Sequence, residues 1–157
     1  MTTNTVVPEM DGLKTRLNTI WTAGDYDRFS RYMEGGAREF YERLQIAPGS
    51  RLLDVGCGSG QLALLAAKDG VEVTGVDIAA NWVERAQARA RAEGVTARFE
   101  VADAEALPFE AASFDVVVSD SQIEHRVASD RYLDECRRVL RPGGRLALEL
   151  LDFERID

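Results

Sequence analysis

A glycine-rich loop that follows a short apolar run is the first feature with binding chemistry. It reads DVGCGSG over residues 54–60 and contains Gly56, Gly58 and Gly60. Glycines permit a tight turn and let a ligand approach the backbone, and the unpaired N–H groups that open the next helix suit a carboxylate or a phosphate. Gln61 stands where the dinucleotide fingerprint requires its third glycine. The loop therefore predicts a ligand site that is not built for a nicotinamide dinucleotide, with a purely structural turn as the alternative.

Acidic residues follow the next two apolar runs. Asp77, after the second run, is suited to accept hydrogen bonds from both hydroxyls of a ribose. Ile78 would then lie against a flat base, and Trp82 would cover the other side of that base. Asp103, after the third run, is suited to accept a hydrogen bond from the exocyclic amine of adenine, with the Ala104 N–H reaching a ring nitrogen. The alternatives are helix caps for the two aspartates and a core position for the tryptophan.

Two further side chains are candidates for acid–base chemistry. His125 is the only histidine of the chain, and its ordinary pKa suits a general base near neutrality. Packing or helix capping is the alternative for this residue. Glu149 lies within an otherwise apolar run, where a buried carboxylate requires a partner or a function. An edge strand that faces water would explain Glu149 equally well.

Alternating strands and helices must position these residues. The predicted strands are 51–55, 71–76, 96–101, 114–118 and 146–151, and the predicted helices are 62–67, 81–93 and 130–140, the last ended by Pro142-Gly143-Gly144. This alternation predicts an α/β fold with a doubly wound, Rossmann-like, mainly parallel sheet that helices cover on both faces. Ligands bind such sheets at the carboxyl ends of the strands, where the candidate binding residues stand.

The N-terminal third has a different character. Residues 1–9 are polar and aperiodic, which predicts a flexible tail. Residues 10–48 are expected to form a helical extension of the core at 49–157, so that 10–157 make a single domain. The predicted helical stretches of the extension are 13–21, 26–33 and 37–44, the last two separated by Gly35-Gly36.

Charge and composition exclude several classes of function. The chain of 157 residues has a formal net charge of −8, which argues against a nucleic-acid binder, because such proteins need a basic surface. Its two cysteines, Cys57 and Cys136, have no metal-ligand spacing, so no metal is expected. No apolar run is long enough to cross a bilayer. A cytoplasmic protein without a membrane partner is therefore expected.

Five segments together resemble the class I S-adenosylmethionine (AdoMet)-dependent methyltransferases. They are LLDVGCGSG at 52–60, VTGVDIA at 73–79, VADAEALPF at 101–109, FDVVVSDSQIEH at 114–125 and RVLRPGGRLAL at 138–148. The resemblance covers roughly residues 36 to 151. The leader at 21–44 is also similar to that of small-molecule methyltransferases like those of quinone biosynthesis.

This resemblance implies AdoMet as cofactor, S-adenosylhomocysteine as its product and the strand order 3-2-1-4-5. It also implies contacts with each part of the cofactor. The methionine part is flanked by Gly56, Gly58 and Gly60, the ribose by Asp77 and the adenine by Asp103 and Ala104. Cys57, within the glycine loop, is a further cofactor-binding candidate. Asp54 would order the glycine loop, Ser119 would lie near the methionine amino group, and Tyr26 would close over the cofactor. A small-molecule acceptor is expected, since no NPPY-like tetrapeptide follows the fourth strand.

The resemblance also leaves alternatives open. The family's strands six and seven are not found before Asp157, which leaves the fifth strand as an apolar edge. An apolar edge predicts self-association through this strand, or its cover by the N-terminal helices. An AdoMet-binding protein without competent catalysis is the first alternative function. A nicotinamide-dependent oxidoreductase is the second, and Gln61 disfavours it.

Overall fold

The computed structural model describes residues 26–120 and 130–149, and only the backbone of residues 26–33. Five strands and four helices lie within these ranges. The strands are β1 Arg51–Val55, β2 Glu72–Asp77, β3 Arg98–Val101, β4 Phe114–Ser119 and β5 Leu140–Leu148; the helices are α1 Tyr26–Leu44, α2 Gln61–Lys68, α3 Ala80–Glu93 and α4 Asp130–Val139. The strands form one sheet in the order β3-β2-β1-β4-β5, and every pairing is parallel. The predicted fold class and strand order are confirmed.

Both faces of the sheet are covered, because consecutive strand residues point to opposite sides. Leu52 of β1 packs in a cluster that includes Phe40 of α1, and this cluster also takes in apolar residues of α2 and α3. Leu53, the next residue, packs in a second cluster with Cys136 of α4. Leu52 and Leu53 are both fully buried, which explains why the strands read as continuous apolar runs.

Helix α1 corrects one prediction. Gly35 and Gly36 were expected to separate two helices, but α1 runs without a break from Tyr26 to Leu44. Each glycine costs a helix about 1 kcal/mol relative to alanine. Burial of one apolar stripe after the glycines offsets this cost. The stripe consists of Ala37, Phe40, Tyr41 and Leu44, which are all buried against the first core cluster.

Strand β5 corrects a second prediction. It begins at Leu140, directly after α4, rather than at residue 146. The segment Pro142-Gly143-Gly144, expected to end the helix, instead lies in a bulge of β5, because the register with β4 shifts between Phe114 and Val116. A Cβ on Gly144 would meet the Arg141 carbonyl oxygen at 2.9 Å and the Asp115 carbonyl oxygen at 3.1 Å, so the bulge needs glycine there.

Within the described residues, β5 pairs with β4 alone and is an edge of the sheet. Self-association through this edge stays a prediction. The predicted tail at 1–9 and the helix at 13–21 lie outside the described residues, as do positions 150–151 of the predicted fifth strand. None of the helices described is both long and apolar enough to span a membrane.

Candidate functional site

The carboxyl ends of the strands meet along one edge of the sheet, and hydrogen bonds join them. The Ala102 N–H, just after β3, donates to the carbonyl of Asp77 in β2 at 3.0 Å. The Ser119 hydroxyl at the end of β4 donates to the carbonyl of Val55 in β1 at 2.7 Å. The Glu149 N–H, after β5, donates to the carbonyl of Ser119 at 3.0 Å. The structure therefore brings the candidate binding residues after β1, β2 and β3 to the same edge as Ser119 and Glu149.

The glycine loop bends over this edge. Gly56, Gly58 and Gly60 all have positive φ, at 74°, 53° and 85°, a region that side chains with a Cβ rarely adopt. The Gly56 N–H donates to the carbonyl of Val76 in β2 at 2.8 Å, which holds the loop against the neighbouring strand. A Cβ built on Gly58 would meet only the Gln61 side chain, at 3.4 Å. The open space beside Gly58 is what a ligand that approaches the backbone requires.

Asp77 connects the glycine loop to helix α3. Its Oδ2 accepts a hydrogen bond from the Gly58 N–H at 2.9 Å, and its Oδ1 accepts one from the Ala79 N–H at 2.9 Å. Burial raises the pKa of Asp77, while these backbone hydrogen bonds oppose the rise. Asp77 also accepts a hydrogen bond from the backbone of Ile78. A carboxylate has about four acceptor sites, so Asp77 can organise the loop and still accept a hydrogen bond from a ligand.

Asp54 of β1 is 2% exposed and lies beneath the loop. Burial, and then the charge of Asp77, raise the pKa of Asp54 to about 7. Its carboxylate accepts a hydrogen bond from the Ala63 N–H in the first turn of α2. Because β1 and α2 flank the glycine loop, this bond joins the two ends of the loop. The role of Asp54 in ordering the loop stays a prediction.

Asp120 is a candidate that the sequence reasoning missed. It directly follows β4, and its carboxyl group is hydrogen-bonded to that of Glu149, which directly follows β5. Burial, this hydrogen bond and the charge of Asp54 raise the pKa of Asp120. Glu149 is also ion-paired with Arg43 of α1 at 2.7 Å. The sequence did contain a signal for this residue, because Asp120 follows the fourth strand much as Asp103 follows the third.

Asp54, Asp77, Asp120 and Glu149 together form an acidic edge. Among residues 26–120 and 130–149, no group of three or more His, Cys, Asp or Glu is arranged to hold a metal ion. Burial raises the pKa values of Asp54, Asp77 and Asp120, so a nearby cation would stabilise their ionised forms. A pyrophosphate would be repelled here, whereas a cationic ligand with hydroxyl groups would be favoured. AdoMet fits this requirement, since it carries a sulfonium, an ammonium and a ribose.

The predicted adenine contacts follow two neighbouring strands, with Asp103 and Ala104 after β3 and with Ile78 and Trp82 after β2. Asp103 Oδ1 accepts a hydrogen bond from the Glu105 N–H at 2.9 Å, as the capping alternative requires. Ala104 and Ile78 are half-buried. Trp82 is 2% exposed, and the Arg85 guanidinium lies 4.8 Å from its ring centroid. This burial favours the core position for Trp82, and its contact with a base stays a prediction.

The structure describes the remaining candidates to different extents. Ser119 is fully buried, and its hydroxyl already donates to Val55. Burial, and then the charges of Asp54 and Asp77, raise the pKa of the Cys57 thiol, so this thiol is protonated near neutrality. Tyr26 lies in the part of α1 for which only the backbone is described, and His125 lies outside the described residues.

Comparison with known proteins agrees with this geometry. A family model described as a methyltransferase domain matches residues 53–148. The 27-O-demethylrifamycin SV methyltransferase of Amycolatopsis mediterranei is 38% identical over an alignment of 158 positions, which covers 94% of this chain and 58% of the relative. The chain spans about half the length of the curated relatives it matches.

Two solved structures show how far the likeness extends. Phosphoethanolamine N-methyltransferase 2 of Haemonchus contortus, in complex with S-adenosyl-L-methionine, has a TM-score of 0.67 and 32% identity, with 73% of this chain and 27% of that chain covered. The [4+2]-cyclase SpnF has a TM-score of 0.67 and 35% identity, with 73% and 44% covered. With its matching domain and sheet, this chain belongs to the class I AdoMet-dependent methyltransferase family.

Proposed function

We propose that this chain is a methyltransferase domain that transfers a methyl group from AdoMet to a small-molecule acceptor. The observation that carries the proposal is the acidic edge beside an open glycine loop, joined by the hydrogen bond from Gly58 to Asp77. This combination favours a cationic nucleoside over a dinucleotide. Because the chain spans about half of its curated relatives, the activity of the whole protein is part of the proposal.

Each part of the cofactor has proposed partners in the chain. The methionine part lies against the glycine loop and Cys57, with Ser119 near its amino group. The ribose hydroxyls donate to Asp77, and the base lies beside Ile78 and Trp82. Asp103 and the Ala104 N–H bind the edge of the adenine, and Tyr26 closes over the cofactor.

The chain's own residues must align the reactants, exclude water and, for oxygen or nitrogen acceptors, accept a proton. AdoMet supplies an electrophilic methyl group when it is bound. Two residues are proposed as proton acceptors, and the structure describes one of them, Glu149. Its carboxyl group shares a hydrogen bond with Asp120 and an ion pair with Arg43. His125 is the second proposed proton acceptor.

A small-molecule acceptor is favoured by charge and by the relatives. The net charge of −8 opposes binding to a nucleic-acid backbone. The relative from Amycolatopsis is named for a demethylrifamycin, and the Haemonchus enzyme for phosphoethanolamine. Both names describe small organic acceptors of those proteins, and we extend that class of acceptor to this chain.

The size class of the acceptor can be tested with methyl-tritiated AdoMet. The chain is incubated with a cell extract that has been separated by ultrafiltration into small-molecule and macromolecular fractions. We expect label to be transferred in the small-molecule fraction. Transfer confined to protein or nucleic acid would contradict the proposed acceptor class. An Asp77→Ala variant, assayed in parallel, measures the background.

A binding protein without methyl transfer is the second candidate function. The neighbour described as a [4+2]-cyclase favours it, because it shows that this fold also occurs in a protein named for a different reaction. Tight binding of AdoMet together with no transfer to any fraction of the extract would support this candidate over the first.

The acidic edge also predicts how cofactor affinity depends on pH. Burial raises the pKa of Asp54 to about 7, so this group is mostly protonated at pH 6. A sulfonium favours the ionised carboxylate, and binding therefore releases a proton. We expect the AdoMet affinity to rise about tenfold between pH 6 and pH 7.5.

Calorimetry in buffers of different ionisation enthalpy measures both the affinity and the released protons. S-adenosylhomocysteine is the matched ligand, because its sulfur is uncharged and its affinity should change less. Equal pH dependence for the two ligands would show that the carboxylates do not respond to the sulfonium. An Asp120→Asn variant should retain the part of the dependence that arises from Asp54.

A further inference from the structure

We infer that Glu135 and Arg138 of α4 are positioning residues for the adenine side of the cofactor site. They hold the segment 102–109, named here the adenine loop, in place from its far end. This inference rests on the proposed function, since it assumes that Asp103 in the loop binds adenine. It concerns two residues that lie on a helix and belong to no part of the site described above.

The hydrogen bonds between the helix and the loop carry the inference. Glu135 Oε2 accepts one from the Leu107 N–H at 2.7 Å. Arg138 Nη2 donates to the Leu107 carbonyl at 2.9 Å, and Arg138 Nη1 donates to the Phe109 carbonyl at 2.6 Å. Both polar groups of the Leu107 backbone are therefore bonded to α4 side chains. A loop that has left the sheet needs such partners for its buried backbone.

The two side chains also bind each other, one turn apart on α4. Arg138 Nε donates to Glu135 Oε1 at 2.7 Å, and Arg138 Nη2 donates to Glu135 Oε2 at 2.8 Å. The ion pair lowers the pKa of Glu135 and raises that of Arg138, so both remain charged near neutrality. Hydrogen bonds from a planar guanidinium to a carboxylate have a fixed geometry, so the pair presents a rigid set of donors and acceptors to the loop.

Asp103 lies between two fixed points of the adenine loop. At the near end, the Ala102 N–H donates to the carbonyl of Asp77. At the far end, the side chain of Leu107 is buried, and the Phe109 ring packs edge-on against Phe114 with centroids 5.1 Å apart. Because both ends are held, the position of the Asp103 carboxylate depends on the helix as well as on the strand. Misplacement of a binding group by about 1 Å is enough to lose most of its contribution.

A purely structural role would have a different consequence. Asp115 provides the comparison, because it forms a similar cluster at the opposite end of the strands. It accepts hydrogen bonds from Arg51 and Arg141, at 3.1 Å and 2.6 Å. Loss of either cluster should lower thermal stability, but only loss of the Glu135–Arg138 pair should change how the protein distinguishes one base from another.

The test compares two ligands that differ only in the base. S-adenosylhomocysteine has the exocyclic amine that Asp103 is proposed to bind, and S-inosylhomocysteine has a carbonyl oxygen in its place. Calorimetry measures both dissociation constants for the unmodified chain and for Arg138→Met, Arg138→Lys and Asp115→Asn. Circular dichroism and thermal unfolding establish that each variant is folded at the temperature of the titration.

We expect the unmodified chain to prefer S-adenosylhomocysteine by at least about tenfold. Arg138→Met should weaken S-adenosylhomocysteine binding by about tenfold and leave S-inosylhomocysteine binding nearly unchanged, so that the preference is lost. Arg138→Lys keeps the charge and should retain part of the preference. Asp115→Asn should keep all of it.

Three outcomes would overturn the inference. An unchanged preference in folded Arg138→Met and Arg138→Lys would show that the pair only stabilises the fold. If the unmodified chain binds both ligands equally, the adenine loop does not recognise the exocyclic amine of adenine. If it binds neither S-adenosylhomocysteine nor AdoMet, the proposed function fails as well, which distinguishes that failure from the other two.

Discussion

Replacing Gly58 by valine is expected to abolish AdoMet binding and to leave a folded protein. Gly58 has φ of 53°, and a side chain with a Cβ pays about 1–2 kcal/mol in that region. The larger effect is steric, because the branched side chain would fill the open space beside the loop. Strain at this position would also disturb the hydrogen bond from the Gly58 N–H to Asp77.

Gly94 offers a matched control for this substitution. It has φ of 66° and nothing within 4 Å of a built Cβ, and it ends α3 at the other end of the helix from the site. Gly94→Val should therefore lose a similar amount of stability and keep its AdoMet affinity. Titration calorimetry and circular dichroism on both variants make the comparison. Normal AdoMet binding by Gly58→Val would show that the glycine loop is not the site.

Replacing Asp77 by alanine is expected to weaken binding of both AdoMet and S-adenosylhomocysteine by about 1.5–3 kcal/mol, the usual loss for a charged hydrogen-bond partner. Two effects contribute to this loss. The ribose hydroxyls lose their proposed acceptor, and the N–H groups of Gly58 and Ala79 lose theirs. Asp77→Asn keeps one acceptor oxygen for the backbone and should bind with intermediate affinity.

Asp69 provides the control for this second substitution. Its carboxylate accepts a hydrogen bond from the Tyr41 hydroxyl at 2.9 Å, at the far end of α2 from the glycine loop. Asp69→Ala should reduce stability and leave the dissociation constant for AdoMet unchanged. Unchanged binding in Asp77→Ala would contradict both the ribose contact and the role of Asp77 in the loop.

Features set by local sequence could be predicted for this chain. The strands are short apolar runs because helices bury them on both faces, and the end of each run located Asp77 and Asp103. The bounds of β1 were predicted without error, since the strand begins at Arg51, directly before its apolar residues, and ends directly before Gly56. The three glycines of the segment 54–60 marked the loop in the sequence, and all three have positive φ in the structure.

Features that depend on distant parts of the chain could not be predicted. The contact between Asp120 and Glu149 requires the register of β4 with β5, which the bulge at 142–144 shifts. The ion pair between Arg43 and Glu149 joins residues 106 positions apart. Gly35 and Gly36 were misinterpreted as a helix break because the local pattern does not reveal how much burial follows in α1.

The most direct test of the account is a calorimetric titration of the chain with AdoMet and, separately, with NAD. The acidic edge and the loop with Gln61 in place of a third glycine predict saturable AdoMet binding with a dissociation constant in the micromolar range, and no detectable NAD binding. Saturable binding of NAD, with none of AdoMet, would contradict the cofactor on which the proposed function depends.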